Sequence, residues 1–322
     1  MRKALVVGIN NYPGAQLKGC VNDARSVEQI LKQHENGKKN FDVKKKENIG
    51  TKGELIELIR QLFSGNSEIA LFYFSGHGYI DERGGYIVTP DYKKYDMGVS
   101  MEDIMKYANE SKAENKVIIL DCCYAGAMGD IQVEGFKRSI VGAGVSVLTS
   151  SRDDESSMEI DGKGLFTSLL LEALNGGAAN IQGKITPASI YSFIDQALGA
   201  WEQRPLFKTN IQNFVSIRDV HPRVGLDELR VLLECFSTPK DEMNLNPSYE
   251  FTNAENIQHE IIEPYAIEGN VRIFKKLQKL ESVGLVEPVG TEHMYFAAME
   301  SKKCKLTALG QYYWKLLQKD RI

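Results

Sequence analysis

Over the first two thirds of the chain, apolar residues recur in two rhythms. Short, almost wholly apolar runs at Ala4 to Ile9, Ile69 to Phe74, Val117 to Leu120 and Val145 to Leu148 are too short for helices. They match strands buried on both faces. Asn213 to Ile217 reads as a fifth strand. Between the runs, Asn22 to Leu31, Gly53 to Phe63, Met101 to Ala108, Phe166 to Leu174 and Pro187 to Leu198 carry apolar residues three and four apart, the spacing of one helix face. The alternation predicts an α/β fold, a mostly parallel sheet flanked by crossover helices.

Around His221-Pro222-Arg223 the alternation stops, which predicts two domains, 1–222 and 223–322. The second reads as three helices (Leu226 to Phe236, Ala254 to Ile262, Val271 to Val283). A turn at Gly284, strands in LVEPV and MYFAAME, and a last helix from Ala308 to Leu317 follow. Ser237 to Ser248, rich in Pro, Asn and charge, reads as an exposed loop.

Composition narrows the class without naming it. Hydrophobic residues at 43% and charged residues at 25% belong to a globular chain rather than a disordered one. Lys and Arg number 39 against 43 Asp and Glu, so no global positive field points to nucleic acid or an anionic membrane. No apolar run approaches the roughly 20 residues that span a bilayer, and MRKALVVGINNYPG turns polar too early for a signal peptide. A cytoplasmic protein is expected, with its five cysteines kept as thiols.

Two strand ends carry candidate chemistry. Tyr73-Phe74-Ser75-Gly76-His77-Gly78 ends an apolar run in a histidine between glycines, and Val117 to Leu120 runs into Asp121-Cys122-Cys123-Tyr124-Ala125-Gly126. Ligands of parallel α/β sheets bind at this carboxyl edge. A thiol there becomes a nucleophile when a neighbouring imidazole takes its proton. Free cysteines are by default small buried hydrophobes, the expected state of Cys122.

Together the two segments resemble the caspase and metacaspase family of cysteine peptidases. The histidine precedes Cys123 by 46 residues, near the 50 typical of caspases. The resemblance covers about residues 1 to 220, including Ser150 to Ser156, Gly164-Leu165-Phe166-Thr167 and Gln203-Arg204-Pro205. It implies Cys123 as nucleophile and His77 as its proton partner, with the main-chain N–H groups of Gly78 and Cys123 stabilising the oxyanion. It also implies a pocket for Arg or Lys before the scissile bond, built from Cys20, Asp23, Ser75 and Asp121; by itself, Asp23 could equally cap the first helix.

Some metacaspases use calcium, so the resemblance carries it as a possible cofactor, with Asp81, Glu82, Asp91, Asp96 and Asp153-Asp154-Glu155 available. None forms an EF-hand pattern, and no spacing suggests zinc or a nucleotide. Tyr124 to Gly144 corresponds to the family's processing linker, and Lys137-Arg138 is its only basic pair. The C-terminal part resembles a winged-helix domain. From Leu226 on, 12 Lys and Arg face 15 Asp and Glu, which disfavours DNA over a docked protein partner. Arg272, Lys275, Lys276 and Lys279 are the candidate docking face. The expectation is a cysteine endopeptidase acting on polypeptides, with a bacterial defence or cell-death role by analogy. The competing reading is a non-catalytic regulator with the caspase fold, acting through winged-helix binding to protein or nucleic acid.

Overall fold

The computed structural model describes all residues except 124–127, 129, 134–135, 151–158, 161–162, 199–203 and 255–260. The chain divides into two compact units, Met1–His221 and Pro222–Ile322.

In the first unit the elements are, in order, β1 (Arg2–Gly8), α1 (Cys20–Lys32), β2 (Asp42–Glu47), α2 (Lys52–Phe63), β3 (Ile69–Ser75), β4 (Gly78–Asp81), β5 (Gly84–Lys93), β6 (Asp96–Ser100) and α3 (Met101–Glu110). There follow β7 (Asn115–Asp121), β8 (Asp130–Val133), β9 (Phe136–Ser139), β10 (Val145–Thr149), β11 (Glu159–Ile160), β12 (Lys163–Gly164), α4 (Leu165–Glu172), β13 (Lys184–Ile185), α5 (Pro187–Ala197), β14 (Leu206–Thr209) and β15 (Arg218–Asp219). Six strands form one sheet in the order β14-β10-β7-β3-β1-β2. All neighbours are parallel except β10 and β14.

The four apolar runs are the four central strands, and every residue of β3 and β7 is buried. Phe72 and Phe74 are fully enclosed, and such burial contributes roughly 1.5–3 kcal/mol per side chain. The layers on either face form two separate cores, one under α2 and α3, the other under α1, α4 and α5. Local signals start the helices: the Thr51 hydroxyl accepts from the Glu54 N–H, and Thr186 and Ser189 form a reciprocal cap before Pro187.

The edges differ from expectation. Residues 213–217 are not a strand; Val215 and Ile217 are buried in an irregular segment, and the sheet is closed by β14 instead. On the opposite edge β2 was not signalled by any apolar run. Its sequence, DVKKKE, contains no buried residue, because an edge strand needs only one neighbour and charge keeps it from pairing further. The antiparallel sheet β4-β5-β6 that follows His77 directly was also unforeseen.

The second unit contains α6 (Leu226–Cys235), β16 (Glu242–Asn244), α7 (Glu268–Ser282), β17 (Val286–Val289), α8 (Met294–Met299), β18 (Lys303–Leu306) and α9 (Ala308–Gln318). Most of the expected helix Ala254 to Ile262 lies outside the described residues. MYFAAME is helical rather than extended: Met294, Ala297 and Ala298 are buried at helical spacing, while Tyr295 and Phe296 are exposed. The second strand is therefore β18, and β16 arises within the segment expected as loop, giving an antiparallel sheet β16-β18-β17. Phe236, Phe274 and Trp314 are buried in this unit, and the Trp314 indole N–H donates to the Phe236 carbonyl at 2.8 Å.

The lysines of α7 turn towards their own unit. Lys279 pairs with Glu228 at 2.6 Å, Lys276 donates to the Asp227 carbonyl at 3.3 Å, and Lys275 lies 5.0 Å from the Phe251 ring centre. Among the described residues, no helix is long and apolar enough to cross a membrane.

Candidate active site

Three adjacent strands end level with one another. Gly8 of β1 is in register with Ser75 of β3, and Ser75 with Asp121 of β7. His77 and Cys123 each stand two residues beyond these register partners, so both leave neighbouring strand ends at the sheet's carboxyl edge. Their segments touch: a Cβ on Gly78 would lie 1.9 Å from the Cys123 carbonyl oxygen, a contact only glycine permits. The main-chain stretches expected to stabilise an oxyanion are thus packed together.

The two cysteines have different environments. Cys122 is completely buried, its thiol pushed well above the ordinary range by that burial first and by the neighbouring Cys123, Asp121 and Cys20. Cys123 is partly exposed. Burial therefore favours Cys123 as the reactive thiol.

His77 is oriented from two sides. Its Nε2 lies 2.7 Å from the Ala15 carbonyl oxygen. A carbonyl only accepts, so Nε2 carries the proton, and in the neutral ring Nδ1 is left as the acceptor a thiol requires. Tyr12, buried, packs edge-on against the imidazole with centroids 4.6 Å apart. Its hydroxyl accepts the His77 main-chain N–H at 3.1 Å and donates to the Val88 carbonyl at 3.3 Å. Gly76 allows this approach, since a Cβ there would meet the Tyr12 hydroxyl at 2.5 Å.

Asp23 and Asp121 are both buried beside this edge, at 2% and 5% exposure, with Ser75 at 2% and Cys20 at 6%. Asp23 does not cap α1, whose cap residue is Gly19. The Asp23 Oδ2 instead accepts from Ser75 Oγ at 3.5 Å and from the Gly164 N–H at 3.3 Å. The start of α1 comes this close because β1 ends in Gly8, where a Cβ would fall 2.2 Å from the Cys20 carbonyl oxygen. Asp121 accepts the Thr167 hydroxyl at 2.6 Å. Two buried carboxylates at one sheet edge suit a cationic side chain.

Lys137 and Arg138 lie in β9, paired antiparallel with β8, so part of the segment expected as the processing linker is extended. The loop acids have other partners: Asp81 pairs with Arg83, Asp91 accepts from Thr89 and the Lys52 N–H, and Asp96 pairs with Lys52. Asp153-Asp154-Glu155 lies outside the described residues. Among those described, no group of three or more His, Cys, Asp or Glu could hold a metal ion.

Sequence reasoning missed Tyr12 and Ala15, and it counted Gly164 and Thr167 in the family resemblance without giving them a role. Tyr12 had a signal, a large aromatic in an otherwise polar loop after a strand; Ala15 acts through a main-chain atom and had none.

The caspase-domain model matches residues 1–213. Metacaspase-1 of Mycosarcoma maydis is 26% identical over 214 residues, 56% of this chain and 51% of that protein, so the chain spans about half the length of this curated relative. A crystal structure of a Geobacter sulfurreducens protein is similar in fold, with a TM-score of 0.50 at 16% identity, covering 68% of this chain and 97% of that one. Caspase-1 of Spodoptera frugiperda gives a TM-score of 0.49 at 16% identity over 70% of this chain and 91% of its own. With strand ends, paired segments and a family match over most of the first unit, the chain belongs to the caspase-domain family of cysteine peptidases.

Proposed function

We propose that the chain is a cysteine endopeptidase that cuts polypeptides after Arg or Lys. The Cys123 thiol passes its proton to His77 Nδ1, and the thiolate sulfur bonds to the scissile carbonyl carbon. The carbonyl oxygen becomes an oxyanion received by the Gly78 and Cys123 N–H groups. As the C–N bond breaks, His77 returns its proton to the amine leaving group. Water, deprotonated by the same imidazole, then releases the acid and restores the thiol.

The observation that carries the substrate preference is the pair of buried aspartates, Asp23 and Asp121, beside Ser75 and Cys20. An anionic residue placed there would add a third negative charge in a poorly solvated place. The deciding experiment is cleavage of fluorogenic peptides that differ only in the residue before the cut, with and without calcium. Arg and Lys peptides are expected to be cleaved and Asp peptides not. Asp23→Asn or Asp121→Asn should lower kcat/KM on the basic peptides roughly ten- to hundredfold, the loss of one charge-assisted partner. Equal cleavage of Asp peptides by the unmodified protein overturns the basic pocket.

For the second unit we propose a winged-helix adaptor that recruits a protein partner. Its order of helices and the antiparallel β16-β18-β17 sheet support that reading. Because the α7 lysines engage their own unit, they are not assigned as its docking face. A role as a regulated defence or cell-death effector rests on family analogy.

A further inference from the structure

The start of α4 touches both pocket carboxylates. Thr167, in its first turn and fully buried, donates its one hydroxyl proton to Asp121 Oδ2 at 2.6 Å. The Tyr73 hydroxyl, 2.6 Å from the same Thr167 oxygen, must then be the donor of that second bond. Tyr73 suits this role. It is fully buried, and burial first, then the charges of Asp121 and Asp23, keep its phenol protonated. The protons thus run in one direction, from Tyr73 to Thr167 to Asp121. Three residues before Thr167, the Gly164 N–H reaches Asp23 Oδ2 at 3.3 Å. A Cβ on Gly164 would lie 2.4 Å from Asp121 Oδ2 and 3.4 Å from Asp23 Oδ2, so this one point of backbone faces both carboxylates.

We propose that the first turn of α4 is a specificity clamp: Thr167, backed by Tyr73, orients the Asp121 carboxylate while the Gly164 N–H orients Asp23, presenting both to a guanidinium. This rests on the Arg or Lys reading of the pocket and deepens it. A planar guanidinium gains most from two acceptors held in fixed directions, whereas a compact ammonium depends less on their orientation. Thr167 is accordingly a positioning residue that favours Arg over Lys.

The test compares Thr167→Val, Thr167→Ser and Tyr73→Phe with the unmodified full chain on matched Arg and Lys peptides, reading kcat and KM separately. Alkylation of Cys123 by iodoacetamide monitors the dyad independently of the pocket. Thr167→Val should raise KM for the Arg peptide about tenfold or more and lower the Arg-to-Lys ratio of kcat/KM, with the alkylation rate retained. Thr167→Ser should restore both, and Tyr73→Phe should shift the ratio in the same direction by less. A folded Thr167→Val protein with an unchanged Arg-to-Lys ratio overturns the clamp, as does a fall in kcat alone for both peptides. Should Thr167→Val fail to fold, an unchanged ratio in Tyr73→Phe overturns it. An unmodified protein without preference for basic peptides overturns the pocket reading and the clamp together; basic preference with no shift in the variants overturns only the clamp.

Discussion

Replacing Gly78 by alanine probes the tightest contact of the site. The added Cβ would stand 1.9 Å from the Cys123 carbonyl oxygen and 3.2 Å from Cys122 Sγ, where ordinary contact begins at 3.4 Å. Relief requires a separation of about 1.5 Å between the two segments that carry His77 and Cys123. The neighbouring atom is backbone, two residues beyond the end of β7, so it cannot swing aside as a flexible side chain would. Overpacking of this kind costs about 1–3 kcal/mol, and a displacement near 1 Å at a reacting pair costs on the order of a hundredfold in rate. Gly78→Ala is therefore expected to fold, with Tm lowered by about 2–10 °C, yet to lose roughly a hundredfold or more in kcat/KM on a basic peptide. The assay pairs thermal unfolding with peptide hydrolysis. Gly53→Ala is the control, because a Cβ there meets nothing within 4 Å and the residue lies in α2, where alanine is the better helix former. Gly78→Ala retaining full activity at the unmodified Tm would refute the inference that this approach holds nucleophile and base together.

Cys123→Ala and His77→Ala should each abolish hydrolysis, and the double variant should be no worse than either, whereas Cys122→Ala should retain most activity. The reverse pattern for the two cysteines would move the nucleophile by one residue. Thiol labelling offers a second check: at pH 8 Cys123 should react first, while Cys235 and Cys304, pushed up to about 11 and about 12 chiefly by burial, should stay protonated and slow until the chain unfolds. As pH rises above the ordinary thiol value of 9.0, the unfolded state loses these protons before the folded state does. Urea midpoints of the second unit should accordingly fall between pH 9 and pH 11, and a flat profile would contradict the burial of these thiols. Active protein is expected to be nicked after Lys137 or Arg138 and Cys123→Ala protein to stay intact; a single unbroken mass after prolonged turnover rejects self-processing.

The apolar runs of β1, β3, β7 and β10 were legible because strands enclosed on both faces carry few polar positions to obscure them, Ser146 of β10 being one. The motifs around His77 and Cys123 were legible for a related reason, since each apolar run stops abruptly at small and polar residues. Edges left no such trace. β2 is charged at every position but Val43, β14 is only half-buried, and the burial of Val215 and Ile217 looks like a strand until its backbone is seen. Helical spacing in MYFAAME was hidden by the exposed Tyr295 and Phe296, which filled the gaps between the buried residues.

Within the proposed site, the thiol and the imidazole stood out as candidates because each follows an apolar run at a strand end, whereas the two aspartates were candidates only through the family resemblance. Only the tertiary structure decided how they are held. The proton on His77 Nε2 depends on the Ala15 carbonyl, the seat of Asp23 on the Gly164 N–H, and the orientation of Asp121 on Thr167, which lies 46 residues farther along the chain. These partners are main-chain atoms or common hydroxyls. Nothing in their identity marks them, and they acquire a role only when the parallel sheet brings distant segments to one edge.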